Sequence, residues 1–160
     1  MRPPIDRPGG IDGQPGYLLV KLGGAVGARF EQALTPLGLK ARHVRVLESL
    51  RDDTRSQREL GLHTGMDRTT MVSVIDDLER LGHVRRERSP TDRRKHVVTV
   101  TDEGRTAFAE AMTLLADAQA AFFAPLSANE QAQLLHLMSR LFSPDLTTCD
   151  PAPTTPRRPT

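Results

Sequence analysis

The chain of 160 residues contains no Trp, one Tyr and five Phe. With aromatics so scarce, its core has to be built from Leu, Val, Ile, Met and Ala. The only cysteine, Cys149, has no partner for an intrachain disulfide. That sets aside a disulfide-stapled secreted scaffold and fits the cytoplasm. No apolar run approaches the roughly 20 residues that a membrane helix needs. The opening MRPPIDRPGG lacks the apolar segment of a secretory leader. A cytoplasmic protein without membrane contact is expected.

Chemistry-bearing motifs are also missing. His43, His63, His83, His96 and His136 are scattered, no two stand four residues apart, and no Cys accompanies them, so no metal site is expected. Residues 23–27, GGAVG, follow the apolar YLLVKL but lack the G-x-G-x-x-G spacing that shapes a backbone cradle for a pyrophosphate. No parallel strands follow at βαβ spacing. These glycines are read instead as allowing close helix packing or a kink. Asp76, Asp77 and Glu79 cluster, but nothing joins them to a nucleophile or a metal. No catalytic residue, metal or cofactor is assigned.

Net charge is only +2, but it is unevenly spread. Between His83 and His96 six basic residues (Arg85, Arg86, Arg88, Arg93, Arg94, Lys95) face two acids (Glu87, Asp92), a local +4 that leaves −2 for the remainder. A basic patch on a nearly neutral body suits phosphate binding. Charge alone equally allows a solvated Arg-rich loop.

Apolar periodicity predicts the elements. Residues 1–14, rich in Pro and Gly, are expected to form a flexible arm. From Pro15 to Leu37 apolar residues recur at spacings of three and four, a helix. A turn at residues 35–38 leads to a second helix, about Lys40 to Leu50, with Leu39, His43, Val46, Leu47 and Leu50 on one face. The polar RDDTR, 51–55, is a connection with room for a very short strand. Ser56-Gln57-Arg58-Glu59 is a capping box that opens a short helix ending near His63. Gly65 turns the chain, and Asp67 caps a helix that runs to about Leu81. Its apolar stripe is Met71, Val74, Ile75, Leu78 and Leu81. Opposite lie Arg68, Thr69, Val72, Ser73 and Asp76. Gly82 ends this helix. Val84 to Arg88 and Lys95 to Val100 are two strands of a ribbon, with SPTDRR between them. Thr101 caps a long helix that Pro125 stops, and Ser127 to Glu130 form a second capping box before a last helix. Residues 144–160 are expected to be disordered.

Two helices joined by a tight turn, the second faced by small polar side chains, can enter a DNA major groove. Arg68 can donate two hydrogen bonds to a guanine edge. Thr69 and Ser73 can bond phosphates or base edges, Val72 can touch a thymine methyl, and Ser56 and Gln57 at a helix N-terminus suit a phosphate. Each of Arg68, Thr69 and Ser73 is also, singly, a plausible solvated helix residue. On the ribbon Arg86, Arg88, Asp92, Arg93 and Arg94 complete the DNA-binding set. Asp92 and Arg94 can pair at its tip, and an Arg there can enter a narrow minor groove.

Residues 15–143 resemble the MarR family of winged helix–turn–helix transcriptional regulators. The family's wing pattern is Asp-x-Arg, then five residues, then an aliphatic residue and Thr. Asp92-Arg93-Arg94, KHVVT and Val100-Thr101 match it, with Val where Leu is commoner. LGLKARHVRVLESL and SQRELGLHTGMDRTTMVSVIDDLERLGHVRR match the second helix and the reader. The resemblance implies a mainly α fold with a small β-hairpin wing, the winged helix–turn–helix at about 38–101 and dimerisation helices at about 15–37 and 102–143. It implies an obligate homodimer with first and last helices intertwined, one reader per half-site of a pseudo-palindromic double-stranded operator, and repression as the outcome. It also implies Arg94 at the wing tip with Asp92 holding it, and release by a small aromatic or anionic effector. For that effector Tyr17, Arg29, His43 and Arg45 are candidate polar walls.

The chain departs from the family pattern in four places. Lys40 stands where a capping Thr or Ser is common, which predicts a ragged helix start. Gly61 replaces the usual Ala. The glycines of the first helix are unusual. The Cys that redox-sensing relatives carry near the chain start is missing here. The competing reading is a small helical ligand carrier or enzyme whose basic hairpin binds acidic substrates.

Overall fold

The computed structural model describes residues 10–89 and 96–142. The rest of the expected N-terminal arm, the expected C-terminal tail with Cys149, and Asp92, Arg93 and Arg94 lie outside the described residues. The chain divides into two units, residues 1–125 and 126–160.

In the first unit one 3-10 turn, Ile11–Gly13, precedes α1, Pro15–Leu34. Pro15 opens α1 in the position where its missing N–H costs nothing. Gly23, Gly24 and Gly27 leave the helix unbroken, and a methyl group at any of them would meet nothing within 4 Å. Close packing within the chain therefore does not account for them. The helix tightens into a 3-10 turn, Thr35–Leu37, and Gly38 reverses the chain at φ 64°.

The second helix, α2 (Ala41–Ser49), starts without a capping hydroxyl. The start is nevertheless closed: the Lys40 N–H donates to His43 Nδ1 at 3.1 Å, and the Ala41 N–H to Glu31 Oε1 at 3.1 Å. A carboxylate from α1 and an imidazole one turn in replace the missing cap and satisfy donors that a helix start leaves orphaned. The expected ragged start is thus corrected.

Helices α3 (Gln57–Thr64) and α4 (Arg68–Arg80) follow, then β1 (Val84–Arg88) antiparallel to β2 (His96–Val100), with Val84 opposite Val100 and Arg86 opposite Val98. In the connection that has room for a very short strand, Arg55 forms a single bridge to β2. Its N–H donates to Val98 O at 3.3 Å, and Val98 N–H returns the bond to Arg55 O at 2.8 Å.

Thr101 caps α5, Asp102–Phe123, accepting from the Gly104 N–H at 3.0 Å. The same hydroxyl donates to Gly82 O at 2.7 Å, and the Thr101 N–H donates to His83 O at 3.0 Å. These bonds press the start of α5 against the turn after α4.

The core joins Leu34, Val46, Leu47, Leu50 and Leu60 to the inner faces of α4, the hairpin and α5 (Ala107, Ala111). Among the described residues its buried apolar members are all aliphatic, Met included, and Phe108 packs against them half-buried. In the second unit α6, Ala128–Leu141, carries the expected capping box, with Ser127 Oγ accepting from the Glu130 N–H and the Glu130 carboxylate accepting from the Ser127 N–H. No helix among the described residues is long and apolar enough to cross a membrane.

Candidate nucleic-acid interface

The reader is built from its caps outward. Ser56 Oγ accepts from the Glu59 N–H at 3.3 Å, while Glu59 Oε2 accepts from the Ser56 N–H at 2.7 Å. The Ser56 hydroxyl also bonds this carboxylate. At the end of α3 the Thr64 hydroxyl donates to Leu60 O at 2.7 Å and Arg45 Nη2 donates to Thr64 O at 2.6 Å. Gly65 then turns the chain at φ 69°. Asp67 accepts from the Thr70 N–H at 2.9 Å and from its hydroxyl at 2.7 Å. Those two bonds, the backbone one first, hold the Asp67 carboxyl below the usual range.

The two faces of α4 separate completely. Met71, Val74, Ile75 and Leu78 are buried. Arg68, Thr69, Val72, Ser73 and Asp76 are exposed and share one surface. Four of the expected DNA-reading residues are thus brought together on one side of one helix, where the backbone can approach base edges. Gln57 lines a neighbouring crevice of about 550 Å³ between α3 and α4, together with Arg58, Leu62, Met66 and Arg68. Arg58 and Leu62 were not singled out from the sequence. Leu62 occupies a helix position, yet is 77 % exposed.

Ser56 and Arg86, two more of the expected DNA contacts, already have partners within the chain. The Ser56 hydroxyl lies within the capping box, beside the Glu59 carboxylate. The Arg86 guanidinium is bound by both Asp76 and Glu79 of α4, and its backbone N–H donates to Glu79 Oε1 at 3.3 Å. Arg88 is exposed at the end of β1, opposite His96.

Asp77, next to Asp76, is half-buried and holds other partners. Its Oδ1 accepts from Arg80 Nη2 at 2.9 Å, and its Oδ2 lies 3.5 Å from His43 Nε2. Arg80 first, and His43 after it, lower the Asp77 carboxyl.

The four candidate effector walls have different neighbours in the single chain. Tyr17 lies under the Lys21 ammonium, with 5.6 Å from the nitrogen to the ring centre. Arg29, about 18 Å further along α1, sits over the Phe122 ring at 5.1 Å. His43 is buried in the core and Arg45 braces α3.

Burial lowers the pKa of His43 and of His83, against the opposing pull of Asp77 and Glu103 respectively. Both histidines therefore bind protons less readily folded than unfolded. The stability tied to their neutral state is complete above the unfolded value of 6.5 and is lost as pH falls below it, towards the depressed folded values. The lowered carboxylates Asp67, Asp77 and Glu130 act in a more acid window. Melting temperatures between pH 6.5 and 5 should fall for the wild-type chain, and His43→Gln should flatten that slope, because Gln can accept the Lys40 N–H without titrating. An unchanged slope in the variant would remove His43 from this account.

A capped helix pair with one clear polar face, followed by a two-stranded ribbon, defines a winged helix–turn–helix DNA-reading protein. The model of the MarR family matches residues 37–95. The HTH-type transcriptional repressor Mb2911 of Mycobacterium bovis is 30 % identical over 133 residues, which are 82 % of this chain and 96 % of the relative. A putative transcriptional regulatory protein for the hcr operon of Thauera aromatica is 34 % identical over 90 residues, 56 % of this chain and 54 % of that protein's length. Among solved structures, a MarR variant from E. coli complexed with operator DNA superposes with a TM-score of 0.70 at 25 % identity, over 80 % of this chain and 93 % of that one. Bordetella bronchiseptica BpsR, whose DNA binding is regulated by 6-hydroxynicotinic acid, does so with 0.71 at 27 % identity, over 84 % and 97 %. The chain belongs to the MarR family of transcriptional regulators.

Proposed function

We propose that this chain is a homodimeric, non-enzymatic repressor that reads a pseudo-palindromic double-stranded operator, with α4 in the major groove and the wing in the minor groove. The observation that carries this reading is the exposed face Arg68, Thr69, Val72 and Ser73, backed by the fully buried stripe of the same helix. One such face covers a single half-site, so two copies are needed. Unpartnered apolar side chains on α1 (Leu19, Val20, Leu22) and, within the second unit, on α6 (Leu135, Leu137, Leu141) support dimerisation through these helices. In the dimer, Tyr17, Arg29, His43 and Arg45 are offered as walls for a small aromatic or anionic effector. The relative regulated by 6-hydroxynicotinic acid supports that chemical class.

The test is equilibrium binding of the purified chain to a duplex that it selects from a random-sequence library, followed over a salt series. Affinity should fall steeply with salt, because each neutralised phosphate releases about 0.9 of a counterion. Arg94→Ala should weaken binding alike on all sequences and reduce the salt slope by about one. A dimer that binds every duplex equally, with or without small aromatic acids, would defeat the proposal.

A further inference from the structure

The carboxylates Asp76, Asp77 and Glu79 form a cluster with no catalytic partner, and the structure shows what each of them holds. Asp77 faces His43 and Arg80. Asp76 and Glu79, one helical turn apart, both take the guanidinium of Arg86. We infer that Arg86 is a positioning residue for DNA binding: by clasping Asp76 and Glu79 it fixes the angle between the wing and the reader helix, so that both reach one DNA site together. The inference rests on the operator-reading function proposed above.

Three features support positioning over direct contact. First, a two-stranded ribbon is marginal by itself and needs outside anchors. Here β2 is bonded to Arg55, just before α3, and β1 is bonded through Arg86 to α4, so the ribbon is held at both elements of the reader. Second, the planar guanidinium can serve two carboxylates in a fixed geometry, which a lysine ammonium does not reproduce. The Arg86 side chain is 32 % exposed, so its pairs are partly withdrawn from water. Third, one Arg with two carboxylates leaves a local charge of −1. A phosphate approaching the guanidinium would meet the repulsion of both acids. Strand alternation sends Arg85 and Glu87, which pair with each other, to the opposite side of β1.

The experiment uses the full chain and two duplexes selected as above. They are identical in the segment read by α4 and differ in the flanks, which are A·T in one and G·C in the other. Only A·T flanks offer the narrow minor groove a wing favours. The readout is the affinity ratio between them. Arg86→Met should lower affinity for the A·T-flanked duplex about tenfold, a size ordinary for coupled charged groups, and leave the G·C-flanked one within about twofold, so that the ratio collapses. Asp76→Asn combined with Glu79→Gln should collapse the ratio equally, and adding Arg86→Met to that pair should change it no further. Arg86→Lys should restore part of it. Equal losses on both duplexes, no loss, or independent additive losses from the two sides of the clasp would each overturn the inference. Should Arg86→Met not fold, the Asp76→Asn, Glu79→Gln variant gives the same readout. Absence of selective binding by the wild-type chain defeats the operator-reading function, and the inference with it. Selective wild-type binding with unaffected variants defeats the inference alone.

Discussion

Gly104→Ala should lower the melting temperature by roughly 6–12 °C, from a loss of about 3 kcal/mol. A Cβ at Gly104 would stand 2.0 Å from His83 O and 2.9 Å from the His83 carbonyl carbon and Val100 Cγ2, where ordinary contact begins at 3.4 Å. The obstacle is backbone, so no rotamer relieves it. His83 O also accepts from the Thr101 N–H, and the adjoining Gly82 O accepts from the Thr101 hydroxyl. Gly82 is already in the left-handed region at φ 76°. Moving the turn aside therefore puts two hydrogen bonds at risk, each contributing about 1 kcal/mol, on top of the overpacking. Gly61→Ala is the control. Its Cβ would meet Met66 O at 3.2 Å, and the gain of about 1 kcal/mol in helix propensity offsets that squeeze. Thermal unfolding of the two variants decides the matter. A Gly104→Ala protein melting within about 2 °C of wild type, below the shift that 1 kcal/mol gives in a chain of this size, would show that the close approach has slack.

Arg68→Ala and Ser73→Glu should each damage operator binding and spare the fold. Arg68 lies exposed in the first turn of α4. A bidentate contact to guanine contributes about 1–3 kcal/mol, or roughly 5- to 150-fold, so its loss should flatten base preference at one position per half-site. Ser73→Glu places a carboxylate on the surface proposed to meet DNA and should lower affinity for every duplex. Both residues are solvent-facing, so stability should stay within about 0.5 kcal/mol. Binding titrations against a panel of single-base operator variants, run beside thermal melts, separate the two effects. Unchanged base preference after removal of Arg68 would place that side chain outside direct readout.

Local signals in the sequence were legible because their physics is local. Ser56, Asp67, Thr101 and Ser127 each accept from the N–H three residues on, as their position before an apolar-periodic run requires. Gly65 and Gly82 adopt the left-handed backbone that ends a helix. The buried and exposed sides of α4 follow from a single period. Contacts across turns were not legible. The Arg86 clasp joins residues seven and ten positions apart, on a helix and a strand whose relative angle no periodicity encodes. Gly104 reads in sequence as a mere weakness in a helix, and its need for a bare Cα appears only once the α4–β1 turn is seated above it. His43 was legible as part of the apolar face of α2, but its service as a cap in place of Lys40 depends on ring orientation, which spacing does not carry.

The division of labour within α4 has a consequence for how this protein can change. Among its first six residues, those that meet solvent (Arg68, Thr69, Val72, Ser73) hold nothing in the hydrophobic interior, while Met71 alone of that group reaches fully inside. Substitutions on the outer side can therefore accumulate without passing through an unfolded intermediate, and, with the reading role proposed for that side, a duplicated copy of this chain can drift to a new set of target promoters while keeping its architecture.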